Sequence, residues 1–148
     1  MANDDVVRAL QRKTAAAGAG LLVLGLATGG LLAAAMTKRV DADVGAVVAS
    51  HLNAVLGCFW LCALAFTLPM LRFGVVGTRR LVVVSVLPAY GNWLITVIKS
   101  FVHVKGVDLT GDQANDVVFA ALNAVVVIPS FAAAIGWTYG LLGERPNV

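Results

Sequence analysis

The sequence predicts an all-α integral membrane protein, a bundle of four transmembrane helices. Of its 148 residues, 59% are hydrophobic and 13% are charged, whereas charged residues make up about 25% of an ordinary soluble domain. Four apolar runs, residues 14–36, 44–71, 81–102 and 117–142, are each long enough to cross ~30 Å of hydrocarbon as a helix. The sequence lacks the alternating pattern of barrel strands, and only helices or closed barrels satisfy their backbone hydrogen bonds in lipid.

The four runs follow one another through polar links, so we expect residues 1–148 to form a single domain. The first run follows Arg8, Arg12 and Lys13, as a signal peptide would, but it is too long for one and no clear cleavage site follows it. We therefore expect it to remain as a helix. The last link, residues 103–116, is acidic and glycine-containing, and it is either a solvated connector or a lid over a site.

Basic residues at the ends of the runs predict the orientation in the membrane. Seven lie on the side of the termini and four on the other side: Arg8, Arg12, Lys13, Arg72, Arg79, Arg80 and Arg145, against Lys38, Arg39, Lys99 and Lys105. Cytoplasmic loops carry the excess of such residues, so both termini are expected in the cytoplasm. The expected location is the inner (cytoplasmic) membrane. The net charge of +3 then reflects topology and contacts with the lipid bilayer, and nucleic acid is not an expected partner.

Small residues along the first run predict close helix packing. Gly25 and Gly29 form a G-x-x-x-G pair, and Ala16 and Gly20 add a similar step. Without side chains at these positions, two backbones approach closely and gain dispersion contacts. Packing within one chain and packing between subunits are both consistent with this pattern.

Two cysteines, Cys58 and Cys62, fall on nearly the same face of the second helix as His51. A soft-metal site is geometrically conceivable there, but two thiols and one imidazole leave a tetrahedral site one ligand short. Buried cysteines are ordinary packing residues in apolar helices. We expect both to be inert and unbridged, because two cysteines four apart on a helix do not meet the geometry of a disulfide.

An imidazole and an amide lie in the second run, in the sequence Ser50-His51-Leu52-Asn53. Such groups cost free energy inside a bilayer unless they find partners, so they are site candidates. One interpretation of His51 is a histidine hydrogen-bonded to a carbonyl or a lipid headgroup. The other is an axial ligand of a haem, for which a neutral imidazole in an apolar pocket is well suited.

The middle of the third run is unusually polar and aromatic, with the sequence Leu87-Pro88-Ala89-Tyr90-Gly91-Asn92-Trp93. This stretch is too deep for an interfacial aromatic belt, so Tyr90 and Asn92 are expected to line a polar interior. Pro88 loosens the helix and frees a carbonyl nearby. Thr96 and Lys99 continue the polar stripe toward the membrane surface. Hydrogen bonding between helices is the alternative interpretation of each amide.

A family resemblance covers about the last hundred residues. The segment from Ala49-Ser50-His51-Leu52 to Thr67-Leu68-Pro69, followed by Tyr90-Gly91-Asn92-Trp93, resembles the small four-helix membrane isomerases that include hydroxylaminobenzene mutase and styrene oxide isomerase. The likeness lies in the order and spacing of the histidine, the Leu-Pro that ends its helix and the asparagine of the third helix. It implies a redox-neutral isomerase with a small aromatic substrate.

The resemblance also implies a homotrimer that binds haem b. By that likeness His51 is the axial ligand of a ferric iron that acts as a Lewis acid. The chain departs from the epoxide isomerases at three positions, with Gly57 in place of an asparagine, and Pro88 and Thr96 in place of an aspartate and a tyrosine. Asn53 lies one helical turn before Gly57 and is the candidate to replace the missing amide.

The Tyr-Gly-Asn-Trp sequence and the His-Leu pair favour the hydroxylaminobenzene mutase branch of this family. We therefore predict rearrangement of an aryl hydroxylamine to an aminophenol. In this prediction Tyr90, Asn92 and Asn53 are the catalytic side chains, His51 is the metal ligand, and Trp93 packs at the cofactor and the substrate ring.

Three alternatives remain open at the level of sequence. The first is epoxide-to-aldehyde isomerisation with the same haem. The second is a small transporter or channel subunit. The four runs contain no Asp or Glu to couple protons or cations, and this counts against it. The third is a haem electron carrier, which would need a second histidine in the membrane, from this chain or from another subunit.

Overall fold

The computed structural model describes residues 2–143, and this part of the chain contains helices and no strand. The helices are α1 (Ala2–Met36), α2 (Val44–Thr67), α3 (Val75–Val102) and α4 (Gln113–Leu141). Each is long and apolar enough to cross a membrane. The predicted all-α, four-helix membrane architecture is confirmed.

Three helices begin earlier than the apolar runs predicted. α1 includes the polar segment before residue 14, α3 begins at Val75 rather than at 81, and α4 begins at Gln113 rather than at 117. Hydrogen bonding from residue i to i−4 continues beyond the hydrocarbon until a cap ends it, so a helix outlasts its apolar run. Asp112 provides such a cap for α4, since its carboxylate accepts from the N–H of Asn115 at 2.8 Å.

Two prolines explain the irregular turns of the backbone. α2 ends at Thr67, short of the expected residue 71, in a 3₁₀ turn over Leu68–Met70 that contains Pro69. α4 widens into a π-helical segment over Leu122–Val127, just before Pro129. Proline has no N–H to donate to the preceding turn, and π segments of this kind are frequent at functional sites.

Both described ends of the chain lie at the same end of the bundle. There Val7 of α1 belongs to the same apolar cluster as Leu68, Leu81 of α3 and Trp137 of α4. At the opposite end the N–H of Asp43 donates to the carbonyl of residue 100 at 2.8 Å. The helices therefore run up, down, up and down. Which side of the membrane the termini occupy stays a prediction, and one of the basic residues behind it, at position 145, lies outside the described residues.

Glycines on α1 bring this helix against α2 of the same chain. A Cβ added at Gly25 would lie 3.1 Å from the Cβ of Ala54, and one added at Gly18 would lie 3.0 Å from the Sγ of Cys62. Either contact is tighter than ordinary carbon packing of about 3.5–4.0 Å. The G-x-x-x-G pattern of α1 is thus used for packing within the chain.

The link between α3 and α4 is an ordered connector. The carboxamide of Asn115 accepts from the N–H of Gly106 at 2.8 Å and donates to the carbonyl of Asp108 at 2.7 Å. Asp116 accepts from the N–H groups of residues 110 and 111. Lys99 at the end of α3 donates to the carbonyl of residue 105 at 3.0 Å. These contacts hold the link at the end of the bundle.

Candidate functional site

A cavity of about 230 Å³ lies between α2, α3 and α4. Its walls are mostly apolar with a few polar side chains, as is usual for sites that bind small molecules. An apolar cavity of roughly 150 Å³ accepts benzene, so this one has room for a benzene ring with a short substituent. Its lining residues are Asn53, Leu56, Gly57, Trp60, Ser85, Pro88, Ala89, Asn92, Val126 and Ser130.

Two paired asparagines supply the amide groups of the cavity wall. The Nδ2 of Asn53 donates to the Oδ1 of Asn92 at 3.0 Å and to the Oγ1 of Thr96 at 3.3 Å. Thr96 in turn donates to the Oδ1 of Asn92 at 3.4 Å. Among residues 2–143 this network leaves the Oδ1 of Asn53 and the Nδ2 of Asn92 without a partner, so one acceptor and one donor group remain for a ligand.

Gly57 lies in the α2 wall of the cavity, and a residue of α1 fills the space that a side chain at this position would need. A Cβ at position 57 would lie 2.5 Å from the Cδ2 of Leu21, which is completely buried. Pro88 also lines the cavity. Thr96 is hydrogen-bonded to the amides of both Asn53 and Asn92. Of the three positions that the resemblance aligned with site residues of the epoxide isomerases, 57 and 88 thus line the cavity, and 96 contacts its two amides.

The π-helical segment of α4 closes the third wall. Val126 lies within that segment, Ser130 lies three residues after its end, and both line the cavity. Gly91 lets α4 approach α3, because a Cβ there would lie 2.7 Å from the Cγ1 of Val125. The wide turn and the glycine together decide the shape of this wall.

His51 faces away from the cavity. Its Nδ1 lies 2.7 Å from the carbonyl oxygen of Gly25 on α1. Asn53 follows two residues later, which at 3.6 residues per turn is a rotation of roughly 200° around α2. The imidazole therefore packs beside α1, whereas the amide of Asn53 points into the cavity between α2 and α3.

The surroundings of His51 fit a haem ligand. When Nδ1 donates its proton to the Gly25 carbonyl, Nε2 keeps a free lone pair, which is the arrangement usual for metal-binding histidines. A Cβ at Gly29 would lie 3.4 Å from the imidazole Cε1, so glycine at this position leaves the ring room. His51 is half-buried. Among residues 2–143 no group of three or more His, Cys, Asp or Glu side chains is placed to hold a metal ion, so a single imidazole would have to suffice, as it does for haem.

Tyr90 and Trp93 also turn toward α1. The hydroxyl of Tyr90 donates to the carbonyl of Ala17 at 2.8 Å, and the indole N–H of Trp93 donates to the Oγ1 of Thr28 at 2.9 Å. Neither residue lines the cavity. The expectation that Tyr90 and Asn92 share one polar interior is therefore not met: they are two positions apart on α3, so they lie on different faces of the helix.

Besides the apolar Leu56 and Val126, the structure adds three cavity residues with polar groups that the sequence did not single out, namely Trp60, Ser85 and Ser130. A signal for two of them exists in the sequence. Trp60 follows Asn53 by seven residues, and Ser85 precedes Asn92 by seven, so each shares a helical face with one of the amides.

Comparison with known proteins identifies one family. A family model described as styrene oxide isomerase matches residues 10–142. No curated protein and no solved structure matches the chain significantly. The matched range includes His51 and every residue of the cavity.

Proposed function

The chain belongs to the styrene oxide isomerase family, and from this premise we propose that it converts an aryl epoxide to the corresponding aldehyde. Family membership makes the protein a membrane isomerase. The finer proposal is supported by one observation above all: the wall of a mostly apolar cavity of about 230 Å³ carries the paired amides of Asn53 and Asn92. The mutase reaction favoured by the sequence motif has weaker support, because the matching family is named for the epoxide reaction.

The proposed reaction is an isomerisation, so no atom or electron is added to the substrate or removed from it. The bond between the epoxide oxygen and the benzylic carbon breaks, and positive charge develops on that carbon. A hydride then moves to it from the terminal carbon, which becomes the carbonyl carbon. The protein must therefore stabilise negative charge on the oxygen and positive charge next to the ring, and it must keep water away from the cation.

Asn92 is proposed to stabilise the oxygen. Its Nδ2 has two N–H donors that are free within the described chain, and its Oδ1 is held by Asn53 at 3.0 Å and by Thr96 at 3.4 Å. An amide held on one side cannot turn away when charge develops, so it acts as a preorganised donor. Asn53 is a positioning residue in this scheme, because it holds the amide of Asn92. In this way it partly replaces the amide that is missing at Gly57.

The apolar walls are proposed to serve the carbon side of the reaction. Trp60 lines the cavity and is held edge-on against Trp137, with 5.2 Å between ring centroids. An indole face next to a developing benzylic cation is stabilising. Leu56, Val126 and Ala89 line the same space, and we propose that these apolar walls keep water from the cation and so prevent hydrolysis to a diol.

His51 of α2 is proposed to hold a haem b, with Trp93 of α3 next to it, both of them against α1. Both side chains contact the stretch of α1 between Gly25 and Gly29. When bound, the ferric iron would supply a Lewis acid for the substrate oxygen. The contribution of this chain is to hold the neutral imidazole through the Gly25 carbonyl, so that Nε2 is the free nitrogen.

A homotrimer in the inner membrane is the proposed assembly. His51 and the cavity occupy different faces of α2, so one chain alone keeps the ligand and the substrate space apart. Subunits that present the His51 face of one copy to the cavity side of the next would bring them together. The mass of the detergent-purified protein tests this assembly.

Product analysis tests the proposed reaction. Purified protein is given styrene oxide and phenylhydroxylamine separately, and phenylacetaldehyde and aminophenol are measured. We expect the aldehyde, with turnover lowered roughly 10²-fold in Asn92→Ala, as for other preorganised donors. Asn123→Ala is the matched control, because this amide donates to the carbonyl of Phe119 in its own helix and should leave turnover unchanged. Aminophenol without aldehyde would move the protein to the mutase branch.

A further inference from the structure

The cavity has a second polar end that the proposed reaction does not use. Ser85 precedes Asn92 by seven residues on α3, which places the two at levels about 10 Å apart along the helix axis. Ser130 of α4 lines the same cavity. The contacts of Gly91 with Val125 and of Gly136 with Leu81 show the antiparallel register of α3 and α4, and this register places Ser130 at the level of Ser85. Amides thus lie at one end and hydroxyls at the other.

The hydroxyl of Ser85 lacks a hydrogen-bond partner. The side chain is 0% exposed, and its Oγ is bonded to nothing among residues 2–143. Other buried helical serines donate a hydrogen bond to a backbone carbonyl of the preceding turn. The Oγ of Ser50 donates to the carbonyl of Val47 at 2.9 Å, and that of Ser100 to the carbonyl of Val97 at 2.7 Å. A buried hydroxyl left unpaired is costly, and Ser85 is also one of the residues that line the cavity.

Thr78 also has a buried hydroxyl that is unpaired in the described chain, but it lies outside the cavity. Ser85 combines the unpaired hydroxyl with a place in the cavity wall and with a second hydroxyl, Ser130, on the facing helix.

We infer that Ser85 and Ser130 bind a polar substituent on the ring of the substrate, so that the preferred substrates are aryl compounds with a hydroxyl group at the ring position opposite the reacting side chain. This inference rests on the proposed function, since it places the reacting oxygen at Asn92. The oxygens of such a para-disubstituted molecule are roughly 7 Å apart, and a hydrogen bond of ~2.8 Å at either end lets it span the two polar ends. A serine hydroxyl both donates and accepts, which suits a phenol.

Binding of two unreactive probes tests this inference. Styrene and 4-vinylphenol lack the epoxide, and their affinity for the full-length, detergent-purified protein is measured by the fluorescence of the tryptophans. The wild type is expected to prefer 4-vinylphenol, and Ser85→Ala to reduce that preference about three- to tenfold, the worth of one neutral hydrogen bond. Ser100→Ala is the matched control, since it removes an equally buried hydroxyl from the same helix but from outside the cavity.

The outcomes separate this inference from the proposed function. Equal affinity of the wild type for both probes, or an undiminished preference in Ser85→Ala, would overturn the inference even if styrene oxide is isomerised. A preference lost in Ser85→Ala and kept in Ser100→Ala supports it whatever the product analysis finds. Should Ser85→Ala not fold, Ser130→Ala provides the same comparison from α4, and a full preference in that variant would count against the hydroxyl pair.

Discussion

Replacing Gly57 by alanine tests whether Leu21 of α1 occupies the space that a side chain at position 57 would need. A Cβ there would lie 2.5 Å from the Cδ2 of Leu21, whereas carbon atoms pack at about 3.5–4.0 Å. Leu21 is 0% exposed, so it cannot move without displacing its neighbours. The perturbation is a single methyl group, placed in a contact between α1 and α2.

The expected free-energy change follows from two opposing effects. Overpacking of this kind costs about 1–3 kcal/mol, and the better helix propensity of alanine returns about 1 kcal/mol. Gly57→Ala should therefore lower the free energy of unfolding by about 1 kcal/mol. After Leu21→Ala, which itself costs about 2–5 kcal/mol, the methyl group no longer collides. Gly57→Ala should then raise the free energy of unfolding by about 1 kcal/mol, so the sign reverses.

Unfolding of the four variants in mixed micelles, followed by tryptophan fluorescence, provides the double-mutant cycle. The coupling free energy should be about 2 kcal/mol, well above the ~0.5 kcal/mol within which independent sites add. Gly30→Ala is the control, because a Cβ at Gly30 meets no atom within 4 Å and should not be destabilising. If Gly57→Ala behaves like Gly30→Ala in both backgrounds, the packing of Leu21 against Gly57 is refuted.

Three further outcomes are expected. His51→Ala should purify folded but without the Soret band of a haem, whereas His103→Ala should keep it, since His103 lies outside the spans; equal loss in both would contradict the assignment of the ligand. The double substitution Gly25→Leu and Gly29→Leu should separate α1 from α2 and lower both the haem content and the amount of oligomer. A haem-containing trimer of that variant, seen by native mass measurement, would contradict this expectation. Tyr90→Phe should cost about 1 kcal/mol of stability through the lost bond to α1 and leave turnover unchanged, and a large fall in turnover at full stability would place Tyr90 in the reaction after all.

The sequence was sufficient for the architecture and for the principal polar residues. The length of the apolar runs alone predicts four helices, because hydrocarbon thickness sets the number of residues needed to cross it. The cost of polar groups in lipid singles out His51, Asn53 and Asn92. The structure pairs the two asparagines at 3.0 Å and bonds the histidine to a backbone carbonyl, so each of these groups found a partner.

Only the tertiary structure decided which neighbour each helix face meets. Helical periodicity shows that Tyr90 and Asn92 lie on different faces, but it does not say that one face meets Ala17 of α1 and the other the cavity. The same holds for Ser85, whose importance depends on a wall formed by two other helices. In a soluble protein the polar face of a helix marks the side away from the core. In a membrane the lipid and the protein interior are both apolar, so the sequence lacks that signal, and the packing of the four helices alone determines the site.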